Sequence, residues 1–125
     1  MKTKSGMALA LMLSIAISAP FSSQAMAESD SVKKMAQIVM QLNHHPSTQD
    51  KQVLSNIIEQ GSAAERSIAS ALLNMQHKVG PTDKARLMQI SKNKDLSDNT
   101  RELAMIVGKI NHQASSADKQ KLEAM

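Results

Sequence analysis

Residues 44–54 read HHPSTQDKQVL, and the same pattern returns twice along the chain, as HKVGPTDKARL at 77–87 and HQASSADKQKL at 112–122. In each copy Asp follows the leading His by six residues, Lys by seven and Leu by ten. The leading histidines are spaced 33 and 35 residues apart, which is a typical length for a helix-turn-helix repeat unit. The pattern therefore predicts three copies of one helical hairpin.

The repeat also extends to the residues before each histidine, where an amide comes directly before the His and an alanine eight residues before it. The amides are Asn43, Gln76 and Asn111, and the alanines are Ala36, Ala69 and Ala104. Apolar side chains in the same segments recur at steps of three and four residues, as in Val32, Met35, Val39 and Leu42. This spacing predicts that each unit begins with an amphipathic helix.

The turn supplies the start of a second helix in each unit. Ser47 with Asp50, and Ser115 with Asp118, have the spacing of a capping box, while Gly80-Pro81 places proline at the first helical position of the middle unit. We therefore predict an all-α fold of about six short helices, arranged as a small solenoid or a compact helical bundle. The predicted units are 31–60, 62–93 and 98–125, within a single helical-repeat domain of residues 28–125.

The first 27 residues have the features of a secretory signal peptide. Lys2 and Lys4 precede an apolar stretch from Met7 to about Ala19, and Ala25-Met26-Ala27 fits the small-x-small pattern that is cut by the signal peptidase. The apolar stretch is too short for a stable membrane anchor. We expect cleavage after Ala27 and a periplasmic or secreted protein without a stable membrane anchor.

Composition excludes several kinds of site. The chain has no Cys, Trp or Tyr. Its single Phe, Phe21, lies within the predicted signal peptide. Cysteine-ligated zinc, thiol catalysis and aromatic stacking platforms are therefore excluded from residues 28–125. The net charge of +4 falls to +2 once Lys2 and Lys4 are removed, and basic and acidic residues alternate, so nucleic acid is not an expected partner.

The four histidines all lie in the repeated turns, and two interpretations of them are open. In the first, His44, His77 and His112 end their helices and contact Asp50, Asp83 and Asp118 across the turn, in a structural role. In the second, they form a transition-metal site or a pH-responsive surface. Stacked units would separate equivalent histidines by about 10 Å or more, so His44 and His45 are the compact candidate pair for a metal.

The expected function is that of an exported helical-repeat module that binds a protein partner through an apolar groove or face. The alternative is a metal- or pH-responsive periplasmic protein that acts through the turn histidines. No nucleophile elbow, phosphate loop or known metal motif is present in the sequence, so we expect no enzyme activity and no cofactor other than a transition metal. Met35, Met75 and Met105 lie at helical core spacing, which predicts that they are packed inside the protein.

Overall fold

The computed structural model describes residues 29–125, so the predicted signal peptide and its cleavage site lie outside the described residues. The described part is all-helical, as predicted, and forms a compact bundle. Its six helices are α1 (Asp30–Gln41), α2 (Thr48–Gln60), α3 (Ala63–Asn74), α4 (Pro81–Lys92), α5 (Asp98–Lys109) and α6 (Ser116–Glu123).

Local sequence signals set where the helices begin. Ser47 and Ser62 each form a complete capping box, in which the serine hydroxyl accepts from a backbone N–H and the side chain of Asp50 or Glu65 accepts from the serine backbone. The Ser115 hydroxyl accepts from the Asp118 N–H at the start of α6. Gly80 precedes α4 without a side-chain cap, and Pro81 occupies the first helical turn.

The six helices close into a ring instead of stacking as an open solenoid. The second helix of each unit packs against the first helix of the next unit, which pairs α2 with α3 and α4 with α5. The same pairing joins α6 of the last unit to α1 of the first. The first helices, α1, α3 and α5, also contact one another and form the centre of the bundle.

The central helices supply most of the core. Each of them buries several side chains on one face, as the periodicity predicts. Alanine occupies the same repeat position in all three and is buried in each: Ala36, Ala69 and Ala104. A small side chain at this position lets neighbouring helices approach closely, which suits a core built without aromatic rings.

The outer helices are fixed to this centre by few residues. The leucine of each repeat is buried in α2, α4 and α6, with at most 2% of its surface exposed, at Leu54, Leu87 and Leu122. Leu87 is the one residue of α4 that is buried. On α5, Gly108 faces Leu87, and a Cβ at Gly108 would lie 3.8 Å from the Leu87 Cβ.

Two methionines lie on the surface between α4 and α5. Met88 is 51% exposed and Met105 is 48% exposed. The prediction that Met105 is packed inside the protein is therefore wrong, whereas Met35 and Met75 are buried as predicted. At about 100° of rotation per residue, Met105 lies almost opposite the mean direction of the buried residues of α5, so it points away from the side that packs on the core.

The ring has two different ends. Because successive helices run in opposite directions, the three histidine turns lie at one end and the short connections at 61–62 and 93–97 lie at the other. At the connection end, the Ser29 hydroxyl donates to the Glu65 carboxylate at 2.6 Å and links α1 to α3. The described helices include none that is both long and apolar enough to cross a membrane.

Polar contacts reinforce the shortest helix, α6. Lys109 of α5 lies 3.2 Å from the Asp118 carboxylate, and Lys121 of α6 lies 3.0 Å from Glu102. The hydrogen bond and negative charge of Glu102 raise the pKa of Lys121 above its ordinary value. Both pairs join α5 and α6, and because the two lysines are half exposed, each pair adds only a small stabilisation.

Candidate metal centre

Each histidine turn is held by a buried residue on both sides of the histidine. The residue two before the histidine caps the preceding helix and is buried: Leu42, Met75 and Ile110. The residue two after the histidine is also buried: Pro46, Val79 and Ala114. The histidine between these anchors is exposed, so the turn presents the imidazole at the surface from a fixed backbone.

Two of the turns adopt an uncommon backbone conformation at the histidine. His44 has φ 73° and His112 has φ 74°, and the structure describes no other non-glycine residue with positive φ. The His45 N–H donates to the Asn43 carbonyl at 2.9 Å, which makes His44 the centre of a γ-turn. A side chain at positive φ costs about 1–2 kcal/mol, and strain of this kind concentrates at functional sites.

Backbone hydrogen bonds join the three turns to one another. The His112 N–H donates to the His77 carbonyl at 2.7 Å, and the His44 N–H donates to the His112 carbonyl at 2.7 Å. The second of these bonds links the first unit to the third, across the closure of the ring. The backbones that carry the three imidazoles are therefore fixed relative to each other.

The result is a cluster of three imidazoles, called here the three-histidine cluster: His44, His77 and His112. The distance between ring centroids is 4.9 Å for His44 and His112, 5.0 Å for His77 and His112, and 5.3 Å for His44 and His77. One ring nitrogen from each residue lies within 4.8 Å of the others. Ring closure thus removes the separation of about 10 Å expected for a stacked array.

A hydrogen bond orients one of the three rings. His44 Nδ1 lies 2.8 Å from Asn43 Oδ1, and an amide oxygen only accepts, so Nδ1 is the donor. This assignment leaves the lone pair of His44 on Nε2. Metal-binding histidines are usually held in this way, with one nitrogen hydrogen-bonded and the other directed to the metal.

The cluster matches the donor set of a known class of metal site. Three histidines and an open fourth position bind zinc in catalytic sites, with Zn–N distances of about 2.0–2.1 Å. Tetrahedral geometry at that bond length places ligand nitrogens about 3.4 Å apart. The exposed rings need to move inward by about 1 Å or less each to reach this spacing, which side-chain rotation provides while the backbone stays fixed.

His45 is placed outside this cluster. Its Nδ1 lies 3.2 Å from the Pro46 carbonyl, and its ring has no contact with another ring in the described part of the chain. Pairing of His44 with His45 at a metal stays a prediction, but the structure places His44 with His77 and His112 instead.

The structure places the histidines beyond the ends of the helices and not at the ends themselves, and their structural role stays a prediction. Each lies three residues beyond the last residue of its helix, at Gln41, Asn74 or Lys109. The repeated aspartates have other partners. Asp50 belongs to the capping box of Ser47, Asp83 lies 3.7 Å from Arg86, and Asp118 pairs with Lys109.

Two features of the site were missed in the sequence. The buried residue after each histidine is proline, valine or alanine, and these differ too much in size to be recognised as one repeat position. The convergence of the histidines depends on ring closure, which the repeat does not specify. The repeated amide before each histidine was the available signal, because it includes the Asn43 side chain that orients His44.

Comparison with known proteins gives no relative: no family model, no curated protein sequence and no solved structure matches this chain.

Proposed function

We propose that this protein binds a divalent transition metal at His44, His77 and His112, as an exported metal-binding protein of the periplasm. The observation that carries the proposal is the approach of one nitrogen from each ring to within 4.8 Å of the others. Neutral imidazole is a preferred donor for zinc, copper and nickel.

Two further observations support a binding role over a purely structural one. The three rings are exposed, so their contribution to the hydrophobic core is small. The turns also retain positive φ at His44 and His112, where glycine would remove the strain. A backbone that is strained at two of the three exposed histidines is consistent with a site selected for its ligand.

The test is metal titration of the untagged protein and of single alanine variants. We expect zinc or copper to bind at one ion per chain and to raise the melting temperature. The free energy of unfolding should increase by about 2.7 kcal/mol when the free metal concentration is 100 times Kd. His77→Ala should weaken binding at least tenfold, because a ligand is lost.

The matched control is His45→Ala, which removes an exposed histidine next to His44 but outside the cluster. Equal affinity in the wild type and His77→Ala would refute the three-histidine centre. Loss of binding in His45→Ala but not in His77→Ala would instead place the metal at His44 and His45.

The interaction module stays a prediction. The observation that favours it is an apolar groove of about 170 Å³ between α4 and α5, lined in part by Met88 and Met105. The metal centre is preferred as the proposed function because it rests on a defined set of donor atoms.

A further inference from the structure

A surface recess adjoins the three-histidine cluster at His77. It has a volume of about 450 Å³ and lies between the first and second units. Its lining comes from two places in the chain: the turn of the first unit with the start of α2, and the end of α3 with the turn of the second unit. The lining residues are His45, Lys51, Leu73, Asn74, Met75, Gln76 and His77.

The polar groups of this recess suit a negatively charged ligand. Lys51 contributes an ammonium group, while Asn74 and Gln76 contribute side-chain amides that can donate hydrogen bonds. The lining contains no carboxylate. The Lys51 ammonium also has no ion-pair partner among residues 29–125, so no carboxylate at ion-pair distance competes with a ligand for it.

The charge of a metal ion bound to the three-histidine cluster also favours a negatively charged ligand. Three imidazoles are neutral ligands, so a divalent ion bound to them keeps its full charge of +2. No acidic side chain belongs to the cluster in the described part of the chain. The fourth coordination position therefore favours an anionic oxygen over a neutral ligand.

We infer that the metal-loaded protein binds a small oxyanion, a carboxylate or a phosphate, with one oxygen on the metal and the rest of the ligand in the recess beside Lys51. This inference rests on the proposed metal centre. The ligand forms a metal–oxygen bond in place of a bound water molecule, and no other bond forms or breaks.

The experiment uses cobalt(II) as the metal, because its visible spectrum reports changes in coordination. The untagged, cobalt-loaded protein is titrated with acetate and, separately, with inorganic phosphate, and bound cobalt is measured at the end of each titration. We expect a saturable spectral change while cobalt stays bound, and no binding of either anion to the metal-free protein. The acetate and phosphate titrations distinguish a carboxylate ligand from a phosphate ligand.

The variant that tests the recess is Lys51→Gln, with Lys94→Gln as its matched control. Lys94 is an exposed lysine at the connection end of the ring, one helix length of about 18 Å from the histidine turns. We expect Lys51→Gln to raise the Kd of the preferred anion about tenfold without changing cobalt affinity, and Lys94→Gln to change neither.

The outcomes separate this inference from the proposed function. Cobalt binding without a spectral response to either anion at about 10 mM would overturn the inference and leave the metal centre intact. Equal anion affinity in Lys51→Gln and the wild type would overturn the role of the recess. Failure of zinc, copper and cobalt to bind would overturn the proposed function and this inference with it.

Discussion

At the scale of single residues, the backbone angle of the histidines separates positions that the repeat makes equivalent. His44 and His112 have positive φ, whereas His77 does not. The amide before each histidine is repeated, and so is the histidine itself, yet only two of the three turns carry the strain. The sequence alone does not reveal this difference, because the same residue type occupies all three positions.

The difference in φ between His44 and His77 predicts that glycine has opposite effects on protein stability at these two positions. At His44, glycine should give a more stable protein than alanine by about 1 kcal/mol, because glycine adopts positive φ without steric cost. At His77, glycine should be less stable than alanine by about 0.5–1 kcal/mol, because only the entropic cost of glycine remains. Chemical denaturation of the four metal-free variants measures both differences.

Both substitutions remove the imidazole, so the comparison between glycine and alanine isolates the backbone. The same sign at both positions would contradict the assigned turn geometry.

At the scale of helices, the caps show how far a local sequence pattern determines structure. Serine begins α2 and α6 at the predicted positions, and each serine hydroxyl accepts from the predicted aspartate N–H. In the middle unit glycine replaces serine at the same position, and α4 begins without a side-chain cap.

Gly80→Ser should therefore stabilise the protein by about 0.5–1 kcal/mol. The serine would cap α4 and restrict the unfolded chain, and a Cβ at Gly80 meets no atom within 4 Å. Thermal melting of the metal-free protein checks this expectation.

The control is Gly61→Ser, since a Cβ at Gly61 would lie 2.7 Å from the Ile57 carbonyl oxygen. We expect this second variant to be less stable than the wild type. A stabilised Gly61→Ser protein, or an unstable Gly80→Ser protein, would show that the two glycines have been assigned the wrong roles.

The elements of the fold were predictable from the sequence because they depend on short-range patterns. Periodicity placed the apolar faces, and the repeated alanine is buried at Ala36, Ala69 and Ala104. The candidate site was only partly predictable: its histidines were found, but not their convergence. Convergence depends on α6 packing against α1, a contact between opposite ends of the described chain that no local pattern encodes.

At the scale of the whole molecule, closure of the ring brings the first and last described helices together. Helix α1 begins and α6 ends at the connection end of the bundle, and these two helices pack together. The contact between them repeats the pairing of α2 with α3 and of α4 with α5, although no peptide bond joins them.

A circular permutant should therefore fold. In this permutant, a flexible linker of about eight residues joins Met125 to Ser29, and the new chain ends lie between Lys94 and Asp95. We expect it to keep the helical content and the metal affinity of the original chain. Circular dichroism and metal titration test the two properties separately.

A second permutant, opened between Val79 and Gly80, provides the contrast. Val79 is buried beside the histidine turn, so a break there should weaken both folding and metal binding. Equal behaviour of the two permutants would contradict the assignment of the histidine turns as the constrained end of the ring.

The hydrogen bonds between the histidine turns also bear on how tightly a surface site can hold an ion. Each imidazole comes from a different repeat, so three separate copies of the unit would have to meet by diffusion before they could share a metal. The single chain converts that meeting into an intramolecular event, with the high effective concentration that gives a chelator its advantage over free ligands. The bonds that join His77 to His112 and His112 to His44 restrict the approach further. Loss of any one repeat would therefore leave two of the three histidines and remove the proposed chelate.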